Sequence, residues 1–243
     1  FPNTLISAVC QDVEGNILLG TFGSGLIVIP NVRTLDFIFP NKEEKAISIT
    51  RSENGVLYIG TLSGKIYAID DKDVSLFREG DSKRMESLFA VEGNQLVIGD
   101  FNGAIVSISN KSEVKLEVGS IKDVAVVNED SALVASNVGA FWLNLRTGQS
   151  IWLNQLRYRL FCIGHNAVTQ SVYAGTARGL AIFSSHEKVK FVELEGKTIR
   201  ARDFESFGNE VFIATAGHGL LKFVSDSMAT HWNTSTGLIS DNL

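Results

Sequence analysis

The residues best suited to chemistry in this chain are basic and few. The run LRYRL, Leu156 to Leu160, sets Arg157 and Arg159 two positions apart, so on an extended strand both point to one face. Two guanidinium forks so placed suit a carboxylate or a sugar acid; a solvated strand face or a salt bridge between neighbouring elements is the bland alternative. A second set is dispersed. Ser24, Ser63, Asn102, Val138, Arg178 and His218 each stand just before a glycine that closes a recurrent phrase, with Asp100 beside Asn102's turn. Variable side chains on a constant frame are where recognition is placed, although simple drift in exposed turns gives the same pattern. Other reactive types form no constellation. His165, His186, His218 and His231 share no H-x-x-x-H spacing, and no G-x-S-x-G nucleophile turn occurs. No catalytic residue, cofactor site or metal site is expected.

The elements that must carry these residues are strands. Glycine is plentiful (22) against only 3 prolines, and Val, Ile, Leu, Phe and Thr abound. Net charge is −5 with no segment rich in Lys and Arg, which argues against nucleic acid or an anionic membrane surface as partner. No apolar run approaches the ~20 residues a bilayer span needs. The opening FPNTLISAVCQDVEG lacks the build of a signal peptide, so the segment reads as soluble, while Phe1 leaves room for a larger parent chain. Cys10 and Cys162 lie in apolar stretches and are expected to be buried free thiols.

One phrase recurs: NILLGTFGSGLIVI, VLYIGTLSGKIYAI, QLVIGDFNGAIVSI, ALVASNVGAFWLNL, SVYAGTARGLAIFS and EVFIATAGHGLLKF. Its small residue falls at Gly20, Gly60, Gly99, Ala135, Gly175 and Ala214, a near-constant spacing. An apolar stretch and a turn precede each phrase, and an alternating stretch such as KVKFVEL follows. Each repeat therefore holds four short strands. The second is apolar on consecutive residues and needs cover on both faces, whereas the fourth alternates as an edge does. Four-stranded units covering one another describe an all-β β-propeller of antiparallel blades with six repeats; part of a seven-bladed propeller is the alternative. A single domain, 1–243, is expected, with blades over 5–40, 45–80, 85–118, 121–154, 158–194 and 199–233 and a link over 234–243.

Within the phrase, the small residue permits close approach of a neighbouring blade. The next residue, Thr21, Thr61, Asp100, Ser136, Thr176 or Thr215, carries a short oxygen-bearing side chain suited to bonding nearby backbone. The closing glycine suits a positive φ. No helix follows, so a phosphate-cradling loop is not expected.

These residues resemble the two-component regulator propeller repeat. In LISAVCQDVEGNILLGTFGSGLIVI the matching positions are Asp12, Gly15, Gly20, Thr21, Gly25 and Leu26, with Gly23 beside the glycine pair. The second copy matches through Gly55, Tyr58, Gly60, Thr61 and Gly64, and the fifth through Tyr173, Gly175, Thr176, Gly179 and Leu180. The closing STGLISDNL resembles the link that introduces a further repeat. The third, fourth and sixth copies depart further. The tryptophan frequent before Gly-Thr in the family is here Leu18, Tyr58, Val97, Val134, Tyr173 and Phe212. The resemblance implies a non-catalytic, ligand-sensing segment of a bacterial two-component receptor, often a histidine kinase. It implies a periplasmic or other extracytoplasmic location in a Gram-negative bacterium. It further implies a glycan or other small ligand as partner and a signal passed to a downstream domain absent from this chain, with membrane contact only through missing parts. A protein-interaction scaffold and, less so, a propeller lyase or glycosidase are the alternatives. The residues expected to meet a ligand are Asp100, Asn102, Arg178, His218, Arg157 and Arg159.

Overall fold

Each repeat becomes one antiparallel sheet. The computed structural model describes residues 5–13, 15–21, 25–29, 39, 43–70, 73–80, 85–91, 95–100, 103–107, 113–184 and 188–243. The chain divides into two compact units, 1–43 and 44–243. The first holds a sheet of β1 (Ile6–Gln11), β2 (Ile17–Thr21) and β3 (Leu26–Ile29) in that order; apart from Phe39, the fourth stretch of this repeat lies outside the described residues.

The second unit holds the other five sheets. Sheet two is β4 (Ala46–Arg51), β5 (Leu57–Thr61), β6 (Ile66–Asp70) and β7 (Asp73–Arg78). Sheet three is β8 (Met85–Ala90), β9 (Leu96–Asp100), β10 (Ala104–Ser107) and β11 (Glu113–Leu116). Sheet four is β12 (Ile121–Asn128), β13 (Ser131–Ser136), β14 (Ala140–Asn144) and β15 (Ser150–Trp152). Sheet five is β16 (Leu160–Asn166), β17 (Ser171–Thr176), β18 (Gly179–Ser184) and β19 (Lys190–Leu194), extended by β20 (Lys197–Thr198). Sheet six is β21 (Ala201–Phe207), β22 (Glu210–Thr215), β23 (Leu220–Val224) and β24 (Ser227–Trp232). Up-and-down meanders of this kind are the blades of a β-propeller fold. Strand β20 goes beyond the four-stranded repeat. Glu195 (φ 52) and Gly196 (φ 73) make a two-residue turn that folds it back on β19.

The burial pattern follows from the residue pattern. Every residue of β13 and β17 is buried, as their runs of small and apolar side chains require, whereas β7 is exposed along almost its whole length. The cores lie between successive sheets. Ile66, Met85, Leu88 and Leu96 join sheets two and three; Val97, Leu116, Val134 and Phe141 join three and four. Leu133, Leu160, Ile163 and Val172 join four and five; Tyr173, Leu180, Ile213 and Phe223 join five and six. Each such side chain contributes about 1.5–3 kcal/mol on full burial. Cys162 belongs to this interior, and burial pushes its thiol up to about 12. Cys10, expected to be buried as well, is exposed on β1.

The recurrent phrase now has a physical account. A Cβ on Gly60 would sit 2.4 Å from the Met85 sulfur of the next sheet, and one on Gly175 would sit 2.8 Å from the Ala201 carbonyl of the next. The short oxygen closes the hairpin: Thr61, Ser136, Thr176 and Thr215 donate to the carbonyls of Lys65, Gly139, Gly179 and Gly219. The closing glycine has two reasons rather than one. Gly25, Gly64, Gly179 and Gly219 have positive φ, but Gly103 and Gly139 do not. There the demand is room, since a Cβ would meet the Leu116 carbonyl at 2.3 Å or the Leu156 carbonyl at 2.9 Å, where the chain leaves the blade.

Polar ties also cross between sheets. Leu88 N–H donates to Ser48 Oγ at 3.1 Å, and Ile163 N–H to Asp123 Oδ2 at 2.8 Å. Burial pushes the Asp123 carboxyl from 3.8 up to about 6, outweighing the N–H groups of Ile163 and Val124 that pull it down. The folded state thus holds this proton more tightly than the unfolded chain, and the group's contribution to stability rises as pH falls from about 6 towards 3.8. We expect wild type to gain roughly 1–2 kcal/mol relative to Asp123→Asn between about pH 7.5 and about pH 4.5. Urea unfolding of both proteins at the two pH values measures this. A difference that does not change with pH would refute it.

Candidate ligand-facing end of the sheets

Two features meet at one end of the sheets in the second unit, the first of them described for sheets two, four, five and six. The residue after the Thr or Ser donates its N–H to the carbonyl just before the first strand: Leu62 to Lys45, Asn137 to Ser120, Ala177 to Arg159 and Ala216 to Arg200, at 2.9–3.0 Å. Glycine turns and strand entries therefore lie side by side. The first strand also carries a register shift at this end, facing the small residue, between Ala46/Ser48, Met85/Ser87, Ile121/Asp123, Leu160/Cys162 and Ala201/Asp203. Such a bulge leaves one residue unpaired and re-aims its side chain. Those residues are Ile47, Glu86, Lys122, Phe161 and Arg202. One hint of them stands in the sequence: the first stretches break strict alternation near their start.

The expected ligand residues distribute unevenly over this end. Asn102 and Ser24 lie outside the described residues. Asp100 takes the Thr position, and its Oδ1 accepts the Gly103 N–H at 2.8 Å, a turn-building bond. The Ser63 hydroxyl donates to the Glu44 carboxylate, and this bond, helped by Lys65 at 3.5 Å, holds Glu44 below the usual carboxylate range. Val138 is exposed. His218 approaches His231, whose Nε2 lies 2.7 Å from the His218 carbonyl, while His218 Nδ1 is buried without a partner among the described residues.

Arg157 and Arg159 do not sit on a strand. Leu156 ends a 3-10 helix, Asn154–Leu156, and β16 begins only at Leu160. Both leucines are buried, so the alternation that imitates a strand comes from two anchors at the ends of a link. The guanidiniums instead lie on aromatic rings. Arg157 covers Trp152 at 4.9 Å, Arg159 covers Phe161 at 5.2 Å, and Arg202 reaches the same ring at 5.8 Å. Arg178 lies over Phe191 at 5.1 Å and Tyr158 at 5.7 Å. The Tyr158 hydroxyl is buried with no partner among the described residues, and burial raises its pKa.

Arg157, Arg159, Arg178, Arg200 and Arg202 are all exposed, and none has a carboxylate partner among the described residues. A guanidinium lying on a ring keeps its N–H edge free for a second partner. These arginines, on the entries and turn of sheets five and six, form a cationic edge on a chain of net charge −5. Such an edge can hold a carboxylate, sulfate or phosphate by charge-assisted hydrogen bonds. Among the described residues, no group of three or more His, Cys, Asp or Glu is gathered as metal ligands would be. No helix among them is long and apolar enough to cross a membrane.

No protein-family model and no curated protein matches the chain. Solved β-propeller structures do. The extracellular domain of BT4673 from B. thetaiotaomicron, described as a hybrid two-component system, superposes with a TM-score of 0.64 at 17% identity over 98% of this chain and 35% of that one. Virginiamycin B lyase from Staphylococcus aureus, in a catalytically inactive form with quinupristin, gives 0.57 at 12% identity over 88% and 79%. YCF48 bound to D1 peptide gives 0.57 at 13% over 91% and 77%. Identities this low bear on the fold alone, and the chain spans about a third of the BT4673 domain.

Proposed function

We propose that the chain is a binding module, the ligand-sensing propeller segment of an extracytoplasmic two-component receptor, and that its ligand is anionic. The observation that carries the ligand class is the row of ring-backed arginines without carboxylate partners among the described residues. The sensor role is supported by the repeat pattern and by the likeness to the two-component extracellular domain. Arg178 and Arg159 supply the main contacts; His218 borders them on the same ends of the sheets. A carboxylated sugar fits the guanidinium forks.

Calorimetric titration tests this. Oligogalacturonate should bind and a neutral dextrin of equal length should not. Arg178→Ala and Arg159→Ala should each weaken binding roughly fivefold to tenfold, and raised salt should weaken it further. Equal affinity for charged and neutral sugars would overturn the anionic reading. Turnover of the sugar would replace the sensor reading with a lyase or glycosidase.

A further inference from the structure

Packing between sheets four and five is incomplete. On the face of β14 that carries Trp142, the side chains of sheets four and five leave space between them. A cavity of about 420 Å³ remains there, within the size of small-molecule sites. Trp142 lines it from sheet four, and Val172 and Phe183 line it from sheet five. No Asp, Glu, Lys or Arg is among its described lining residues.

The polar side chains described in the lining are those of Asn154, Gln155, His165, Gln170 and Ser184, and some of them are committed. Gln155 Oε1 accepts the Val189 N–H at 3.1 Å, which leaves its NH2 as a donor. Gln170 Nε2 donates to the Ala167 carbonyl at 2.7 Å, which leaves its oxygen as an acceptor. His165 also faces the cavity, and burial lowers its pKa, so its ring is neutral at pH 7. The apolar and aromatic walls outnumber these groups, and a saccharide would lose water from hydroxyl groups facing Trp142, Ile151, Val172 and Phe183, where no partner stands. With no charged side chain among the described lining residues, an acid or an amine would lose water there without a counter-charge. An aromatic ring with one polar edge satisfies both limits.

We propose that this slot binds an uncharged, planar aromatic or heteroaromatic small molecule, with its ring against Trp142 and Phe183 and its polar edge on Gln155 and Gln170. The site borders the arginine edge at Trp152, whose ring Arg157 covers, but its occupancy does not depend on an anionic ligand binding there. Indole is the probe. The full chain is labelled with 5-fluorotryptophan, and the signals of Trp142, Trp152 and Trp232 are assigned with W142F, W152F and W232F. Indole should bind with a Kd of about 1 mM and shift the Trp142 resonance while leaving Trp232 unmoved. Trp142→Ala should weaken binding by roughly tenfold. Indole-3-acetate, seated with its ring against Trp142 and Phe183, should bind more weakly than indole, because the described residues around that end of the slot offer its carboxylate no cation. A Trp142 signal that indole does not move overturns the proposal, as does a shift caused by methyl glucoside in preference to indole. The labelled wild type decides the matter even if Trp142→Ala fails to fold.

Discussion

Gly219→Ala should destabilise the protein by roughly 3 kcal/mol or more. Two costs coincide at this position. Gly219 has a φ of 69°, in the left-handed region, where an L side chain loses about 1 kcal/mol. An added Cβ would also lie 2.2 Å from the Trp232 carbonyl oxygen, 3.1 Å from the Asn233 Cα and 3.1 Å from Leu238 Cδ1. The carbonyl is backbone and cannot swing aside. It belongs to the chain leaving sheet six, whose Asp241 carbonyl accepts the Gly217 and Gly219 N–H groups at 2.9 and 2.8 Å. Moving that segment sacrifices those bonds and the Leu243 N–H to Thr215 carbonyl bond at 3.0 Å. Gly217→Ala is the control within the same turn. Its φ is 92°, but nothing lies within 4 Å of a Cβ there, so only the conformational cost of about 1 kcal/mol applies. Urea unfolding followed by tryptophan fluorescence compares the two, and equal losses would show that the exit segment does not confine Gly219.

That pair of glycines also marks what the sequence can and cannot disclose. The repeat is legible because it is local: a small residue, a short oxygen and a glycine recur within one hairpin, and the consecutive apolar residues of strands such as β17 announce cover on both faces. The reason for each glycine is not local. Gly103 and Gly139 stand in the same column as Gly219 yet answer to the returning chain rather than to φ. The bulges are half legible: alternation breaks near the start of the first stretches, but which residue goes unpaired, Phe161 or Arg202 for example, is fixed only once the partner strand is in place. Arg157 and Arg159 mislead for a related reason, since Leu156 and Leu160 are buried in a helix-to-strand link with a strand's spacing. Apart from Phe161 beside Arg159, the rings that hold the arginines stand further off in the chain. Phe191 under Arg178 belongs to a fourth strand, and in KVKFVEL it shows only as one apolar position of an alternating run.

The second large effect concerns a tie that no spacing suggests. Tyr173, almost fully buried on β17, donates its hydroxyl to Asp226 Oδ1 at 2.5 Å, and the Ser171 hydroxyl donates to the other carboxylate oxygen. Asp226 lies in the turn between β23 and β24, so sheet six reaches back to clasp sheet five. The turn is set by Ser225 and Asp226, both at positive φ, which Asp tolerates better than most residues. Burial, reinforced by the carboxylate, pushes the Tyr173 phenol well above its ordinary value, so it stays a donor throughout the working pH range. Asp226→Ala would strand that hydroxyl in the interior and place alanine at φ 64°, a combined loss of about 3 kcal/mol. Tyr173→Phe removes the donor instead of orphaning it and should cost about 1 kcal/mol, because the carboxylate keeps Ser171 and some water. Asp226→Asn keeps an acceptor and the turn conformation and should fall between them. The double variant Asp226→Ala/Tyr173→Phe should be less destabilised than the sum of the singles by roughly 1–2 kcal/mol, since phenylalanine leaves no hydroxyl to strand. Strict additivity in urea unfolding would mean that the two sheets are held by apolar packing alone and that the clasp contributes nothing.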